Sequence, residues 1–214
     1  MSTQVTMDDA ELATATATER HELARLLTGL APAAWDTASL CAGWQVRDVV
    51  AHIAMPLRYS AEEYGREMAE SGGNIDQMLD RCARRDAAQV PASELIKVIR
   101  DDQNFPWRVP GALVGALNHV VIHGLDITVP LGIDRRVPEP SLRMVLDTMT
   151  KPGAPGYFGT GVTGAELVAD DLDWSWGSGP RLSGLAQDLA AVLCGRQLPA
   201  GRLHGEVAAQ FTAD

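Results

Sequence analysis

One long apolar stretch, residues 111–129, constrains the fold of this chain more than any other segment. It contains no charged side chain before Asp126 and is rich in Val, Leu and Ile. Its composition alone fits either a buried strand or a buried helix. Strands rarely exceed about ten residues, so the length of the stretch favours a helix.

Two of the five histidines, His119 and His123, lie four residues apart in this predicted helix. That spacing places both imidazoles on one helix face, within reach of one ion. His52 is the best candidate for a third ligand, because it lies in another predicted helix among apolar residues expected to pack inward. Three neutral imidazoles without a thiolate suit Zn²⁺ or a neighbour such as Ni²⁺ and leave one coordination position open.

Two carboxylates could support such a metal site. Asp48 lies one turn before His52, and Asp126 lies three residues after His123, so either could accept a hydrogen bond from an imidazole. The alternatives are that Asp48 stabilises its helix N-terminus and that Asp126 is a solvated surface charge. The histidines could equally be hydrogen-bonded core residues without a metal.

Apolar residues at helical spacing recur along most of the first 150 residues. They predict further helices over residues 8–30, 45–70, 75–88, 92–101 and 139–150. Pro56 is expected to kink the second of these, and the Pro- and Gly-containing segments 31–44 and 104–110 predict loops.

A Gly- and Pro-rich segment, residues 151–164, predicts a linker and therefore two domains, residues 1–150 and 151–214. Beyond it, residues 165–176 alternate in the manner of two short strands. Residues 177–180 then predict a turn, followed by a helix at about 183–194. The second domain is thus expected to be a small α+β unit.

Composition excludes several classes of function. The net charge of −10, without a basic cluster, argues against partners such as nucleic acid and anionic membranes. No run of about 18 apolar residues predicts a membrane span, and the acidic first residues do not predict a secretory signal. The three cysteines are widely spaced and form no CxxC pair, so we expect a cytoplasmic protein without disulfides.

Three blocks of sequence resemble one known family. Residues 41–52, which contain Gly43, Trp44, Val46, Asp48 and His52, resemble the Gly-Trp-x-Val-x-Asp-x-x-x-His signature of the mycothiol-dependent maleylpyruvate isomerase family, within the DinB-like superfamily. Residues 118–132 resemble the later segment of the same family. Residues 167–184 and 193–196 are similar to its small C-terminal domain, so the resemblance covers almost the whole chain.

The resemblance implies a mainly α fold, a DinB-like up-and-down four-helix bundle followed by a small α+β domain. It also implies Zn²⁺ bound by His52, His119 and His123, with mycothiol as cosubstrate. Some isomerases of the family have Glu where this chain has His119. A neutral imidazole there leaves the zinc site at a charge of +2, which makes a bound thiol or water more acidic.

These observations lead to three hypotheses about function. The first is a thiol-dependent metalloenzyme, either an S-transferase or an isomerase, that acts on a small electrophile. The second is a non-catalytic protein that binds metal or a small molecule, and the third is a metal-free structural protein. The sequence assigns no catalytic residue beyond the metal ligands, and it is compatible with a monomer or a homodimer.

Overall fold

The chain is mainly helical. The computed structural model describes residues 7–101, 112–152, 162 and 164–213. The eight α-helices of this part are α1 (Asp9–Thr28), α2 (Val46–Arg58), α3 (Ala61–Glu70), α4 (Ile75–Gln89), α5 (Ala92–Arg100), α6 (Ala112–Thr128), α7 (Glu139–Met149) and α8 (Ala186–Leu193). None of these helices is both long and apolar enough to cross a membrane.

A four-stranded sheet lies near the end of the chain. Its strands are β1 (Glu166–Ala169), β2 (Ser175–Gly177), β3 (Arg181–Gly184) and β4 (Leu203–His204), in the spatial order β2-β1-β3-β4. β1 pairs antiparallel with β2 and parallel with β3, and β3 pairs antiparallel with β4. The predicted fold class, mainly α with a small α+β part, is confirmed.

Helix α2 lies at the centre of the helical bundle. It packs against α4, α5 and α6, while α1 packs against α5 and α6. Val49 and Ile53 of α2 share one apolar cluster with Leu23 of α1 and Ile99 of α5. This packing brings α2 and α6, the two helices that carry the candidate metal ligands, side by side.

The prediction of one continuous helix over residues 45–70 was wrong. Helix α2 ends at Arg58, and α3 begins at Ala61. Ser60 has an extended backbone and accepts a hydrogen bond from the N–H of Glu63, whose carboxylate accepts one from the N–H of Ser60. This capping box starts a new helix where the apolar spacing alone suggested continuation.

The turn at residues 177–180 leads into strand β3, where the prediction had a helix from about residue 183. Leu182 of β3 pairs with Leu167 of β1, and both are fully buried. Gly179 in the turn has a φ of +130°, and a side chain there would collide with the backbone of Gly164. Helix α8 therefore begins only at Ala186.

The bundle and the sheet share one apolar core. A single cluster joins Leu117 and Leu125 of α6, Leu146 of α7, Leu167 of β1 and Leu189 of α8. The predicted loop over 104–110 and most of the predicted linker over 151–164 lie outside the described residues. The division into residues 1–150 and 151–214 remains a proposal.

Candidate metal centre

Three histidines from two neighbouring helices converge in the bundle. The Nε2 atoms of His52 and His119 lie 3.0 Å apart. His123 completes the group, and in each pair of the three rings the centroids are 4.7 Å apart. Two nitrogens bound to one tetrahedral zinc lie about 3.3 Å apart, given Zn–N bonds of about 2.0–2.1 Å. The spacing and chemistry of these donors fit one divalent ion.

The protonation state of the rings also suits a metal. Burial lowers the pKa of His52 well below its usual range, and the neighbouring His123 and His119 lower it further. Burial, with His123 nearby, lowers the pKa of His119 to about 3. Both imidazoles are therefore neutral at pH 7, which is the form that binds metals.

Asp126 is the centre of a hydrogen-bonded cluster next to His123. Its side chain is fully buried, and its Oδ2 lies 2.8 Å from Nδ1 of His123. The guanidinium of Arg196 donates to both carboxylate oxygens, at 2.9 Å each. Burial alone would raise the pKa of Asp126, but hydrogen bonds from Arg196 and His123 hold it well below its usual range. The carboxylate is therefore ionised. Because it is buried, it is not the solvated surface charge of the alternative hypothesis.

Cys41 also belongs to this cluster. Its thiol donates to Oδ2 of Asp126 at 3.0 Å, and the backbone N–H of Leu40 donates to the main-chain oxygen of Asp126 at 3.1 Å. Burial raises the pKa of the Cys41 thiol, and Asp126 raises it further, although Arg196 opposes the shift. The thiol is therefore protonated at neutral pH.

The other two cysteines are protonated for the same reason. Burial raises the pKa of Cys194 to about 12. Burial also raises the pKa of Cys82, and a hydrogen bond with Glu67 adds to the effect. None of the three cysteines forms a disulfide.

Cys41, His123 and Asp126 approach one another closely enough to hold an ion themselves. However, Arg196 already occupies both oxygens of Asp126, and the Cys41 thiol is protonated. A cation would have to displace the guanidinium from the carboxylate. The cluster is better described as hydrogen-bonded support for His123.

In the described part of the chain, Asp48 does not accept a hydrogen bond from the ring of His52. Its Oδ2 accepts a hydrogen bond from the backbone N–H of Gln45 at 2.9 Å, at the N-terminus of α2. Among the described residues, the buried Nδ1 of His52 has no hydrogen-bond partner. The geometry thus follows the alternative interpretation of Asp48, in which its carboxylate stabilises the start of the helix.

A largely apolar cavity of about 310 Å³ adjoins the histidines. His52 and His119 contribute to its wall, together with residues of α1, α3 and α4. Arg20 and Tyr64 are its other ionisable side chains, and no carboxylate lines it within the described part of the chain. The cavity can hold a small, mostly apolar molecule beside two of the candidate ligands.

The remaining histidines lie away from this centre. The ring of His21 is within hydrogen-bond distance of the main-chain oxygen of Arg100 at 3.0 Å, on the exposed side of α1. His204 is exposed in β4.

The chain shows one clear similarity to a known family. A family model described as the mycothiol maleylpyruvate isomerase N-terminal domain matches residues 16–104. Residues 16–104 are therefore similar to the N-terminal domain of this family. No curated protein matches the chain by sequence.

Two solved structures are similar to this chain over a longer span. A crystal structure of the mycothiol-dependent maleylpyruvate isomerase has a TM-score of 0.56 and 16% sequence identity, covering 97% of both chains. A histidine-to-alanine mutant of the isomerase gives a TM-score of 0.53 with the same identity and coverage. At this identity the likeness shows that the fold is shared over nearly the whole length.

The match to the mycothiol maleylpyruvate isomerase domain includes only part of the candidate metal centre. His52 lies within residues 16–104, whereas His119 and His123 lie beyond them. Arg196 lies further still along the chain, and the sequence patterns gave it no individual role. It reaches Asp126 because the described residues 164–213, which we call the C-terminal unit, pack against α6 through α8.

Proposed function

We propose that this protein is a metal-dependent enzyme that uses a low-molecular-weight thiol. His52, His119 and His123 would hold one divalent ion, with Zn²⁺ the first candidate and Ni²⁺ the second. The observation that carries the proposal is the convergence of these imidazoles beside a cavity, with 3.0 Å between Nε2 of His52 and of His119. Three protein ligands leave a coordination position for a further molecule.

We further propose that the thiol is mycothiol. The match to the mycothiol maleylpyruvate isomerase domain and the fold shared with the mycothiol-dependent isomerase support this choice. A zinc ion supplies Lewis acidity and lowers the pKa of a thiol bound to it. The uncharged histidine set preserves the full positive charge of the ion, which strengthens that effect.

The residues of the chain would then bind and orient the reactants. The cavity of about 310 Å³ would accommodate a small electrophile, and its largely apolar wall would contact the apolar parts of that molecule. Attack by the deprotonated thiol on an activated carbon–carbon double bond would form a carbon–sulfur bond as the double bond opens, and the proton lost by the thiol would neutralise the adduct. An S-transferase would release that adduct. An isomerase would let the adduct rotate about the former double bond, then break the carbon–sulfur bond, restore the double bond and return the thiol with its proton.

A non-catalytic metal or small-molecule binding protein is the second candidate. It is favoured by one observation, that no described residue lining the cavity carries a carboxylate to transfer protons. This protein would bind the same metal at the same histidines but would show no turnover.

The metal content of protein purified without a histidine tag tests the first step. We expect close to one zinc or nickel per chain in the wild type, and little in His119→Ala. His21→Ala is the matched control, because it removes a histidine that lies away from the centre. Wild-type protein without metal, purified in metal-containing medium, would rule out the enzyme and a metal-binding protein alike.

Thiol consumption then separates the two candidates. Metal-loaded protein is mixed with mycothiol and a set of small electrophiles that includes maleylpyruvate, and free thiol and isomerised product are measured. The enzyme proposal expects turnover that His119→Ala abolishes and His21→Ala keeps. Metal binding without turnover on any electrophile would favour the binding protein.

We also propose a cytoplasmic location. All three cysteines are free of disulfides, which fits a reducing compartment, and mycothiol is an intracellular thiol. The net charge of −10 disfavours nucleic acid as a partner.

A further inference from the structure

Arg196 links the C-terminal unit to the candidate metal centre. It follows α8, and every nitrogen of its guanidinium has a partner. Nε and Nη2 donate to the two oxygens of Asp126, and Nη1 donates to the main-chain oxygen of Cys194 at 2.7 Å. Nη2 also lies 3.3 Å from Sγ of Cys41. The guanidinium is therefore fixed in position, and so is the carboxylate that it binds.

The paired hydrogen bonds from Arg196 set the orientation of Asp126. Two parallel N–H···O bonds define the plane of a carboxylate, which a single bond would leave free to rotate. In that plane, Oδ2 is directed at Nδ1 of His123, 2.8 Å away. An ionised carboxylate can only accept, so Nδ1 must carry the proton and donate it.

The proton on Nδ1 determines what His123 offers to a metal. A neutral imidazole with a proton on Nδ1 has its lone pair on Nε2. Because Nδ1 is occupied by Asp126, Nε2 is the atom that remains for an ion shared with His52 and His119. Metal-binding histidines are commonly held in this way by a carboxylate on the second ring nitrogen.

We infer that Arg196 is a positioning residue for the metal centre, although it lies outside the helical bundle. It fixes the carboxylate of Asp126, and that carboxylate in turn fixes the tautomer and the ring rotation of His123. The inference rests on the proposed function, because it supposes that the three histidines bind a metal. It assigns the C-terminal unit a role in metal affinity.

A second arginine provides a matched control. Arg202 donates to Oδ1 of Asp188 through Nε at 3.1 Å and Nη2 at 2.6 Å, and Asp188 is almost fully buried. Both arginines thus belong to the C-terminal unit and pair with a buried carboxylate. The pair of Arg202 and Asp188 makes no hydrogen bond to His52, His119 or His123 in the described part of the chain.

The experiment measures the zinc affinity of folded protein by competition with a chelator at pH 7.5. We expect Arg196→Met to bind zinc about 10- to 100-fold more weakly than the wild type, the usual effect of removing a group that orients a metal ligand. Arg202→Met should stay within about threefold of the wild type. Arg196→Lys keeps the charge but not the paired geometry, so its affinity should be intermediate.

A measurement on metal-free protein tests the same inference independently. Nitrogen NMR of the histidine rings should show that the neutral ring of His123 carries its proton on Nδ1 in the wild type, and that Arg196→Met contains a mixture of the two neutral tautomers. If Arg196→Met does not fold, Arg196→Lys takes its place in both measurements.

The outcomes are distinct. Equal zinc affinity in the wild type and the folded Arg196 variants would refute this inference and leave the proposed function intact. An equal loss in Arg202→Met would also refute it, because the effect would then be general destabilisation. A wild type that binds no zinc would overturn the proposed function and this inference together.

Discussion

At the scale of single residues, the candidate centre depends on burying histidines in the neutral state. An imidazole ordinarily gains a proton near pH 6.5. Burial and mutual repulsion lower the pKa of His52 and His119 far below that value in the folded protein. In the unfolded chain the same rings regain their ordinary pKa, so acid favours unfolding.

The stability of the metal-free protein should therefore fall as the pH is lowered from 7 to 5. Over this interval the unfolded state takes up protons at His52 and His119, and the folded state does not. Each ring lowers the free energy of unfolding by at most about 2 kcal/mol over this interval, because its pKa in the unfolded chain is near 6.5. Urea unfolding at the two pH values measures it.

Substitution identifies the rings responsible for this loss. His119→Gln removes one of the titrating groups, so the difference in unfolding free energy between pH 7 and pH 5 should shrink by up to about 2 kcal/mol. His21→Gln should leave the difference as in the wild type. A wild type equally stable at both pH values would show that these rings are not held neutral by the fold.

The sequence could identify some residues of the site and not others. Spacing and the family signature singled out His52, His119 and His123, because ligands on a helix face follow a local rule. Arg196 lies 70 residues from Asp126, and no local pattern predicts such a pair. Asp48 was ambiguous because the residue one turn before His52 is also the third residue of α2, where a carboxylate can cap the helix.

At the scale of elements, α6 contains two glycines with different surroundings. A methyl group added at Gly115 would have no atom of the described residues within 4 Å outside its own helix. At Gly124 it would lie 2.8 Å from Nη1 of Arg135, a buried arginine paired with Glu19. Gly124 thus leaves room for an ion pair that ties α1 to the segment after α6.

Alanine substitutions at these two glycines should have opposite effects on stability. Gly115→Ala should raise the free energy of unfolding by about 1 kcal/mol, the usual difference between alanine and glycine in a helix. Gly124→Ala should lower it by about 1 kcal/mol or more, because the pair of Arg135 and Glu19 must shift. Urea unfolding of both variants checks this, and a stabilised Gly124→Ala would contradict it.

The helices were more predictable than the strands for a physical reason. Apolar spacing over three or more turns gives many concordant positions, so α1, α4, α5, α6 and α7 were placed within a few residues. β3 has four residues and β4 two, too few for an alternating pattern to stand out. Apolar spacing does not reveal the boundary between α2 and α3, because the capping box of Ser60 interrupts an otherwise helical pattern.

At the scale of the whole molecule, the bundle and the sheet are joined by their core. Leu146 of α7 and Leu189 of α8 are fully buried in the same cluster. Polar contacts add to this connection, since Gln187 of α8 donates to the main-chain oxygen of Arg135 at 3.0 Å. Neither part could separate without exposing apolar surface to water.

The chain should consequently unfold in one cooperative transition. Differential scanning calorimetry of the full chain is expected to give equal calorimetric and van't Hoff enthalpies. Leu146→Ala should lower the stability of the whole chain by about 2–5 kcal/mol without splitting the transition. Two resolved transitions would mean that the two parts fold independently despite their shared core.

Sequence could predict this architecture only in part. The pattern of apolar residues shows which face of each element is buried, and the resemblance to a known family supplied the expected arrangement of the helices. Neither indicates which side chains meet across the bundle and the sheet, because complementary shape is not encoded in the apolar pattern. The contact between Arg196 and Asp126 arises from that packing.

The protonated cysteines protect the protein from its own proposed chemistry. Only a thiolate is a strong nucleophile, and burial keeps Cys41, Cys82 and Cys194 in the thiol form at neutral pH. No cysteine lies among the described residues that line the cavity. Met55 contributes a sulfur to the wall, but as a thioether. An electrophile in the cavity therefore meets no protein thiol within the described part of the chain, so alkylation of a cysteine there is avoided.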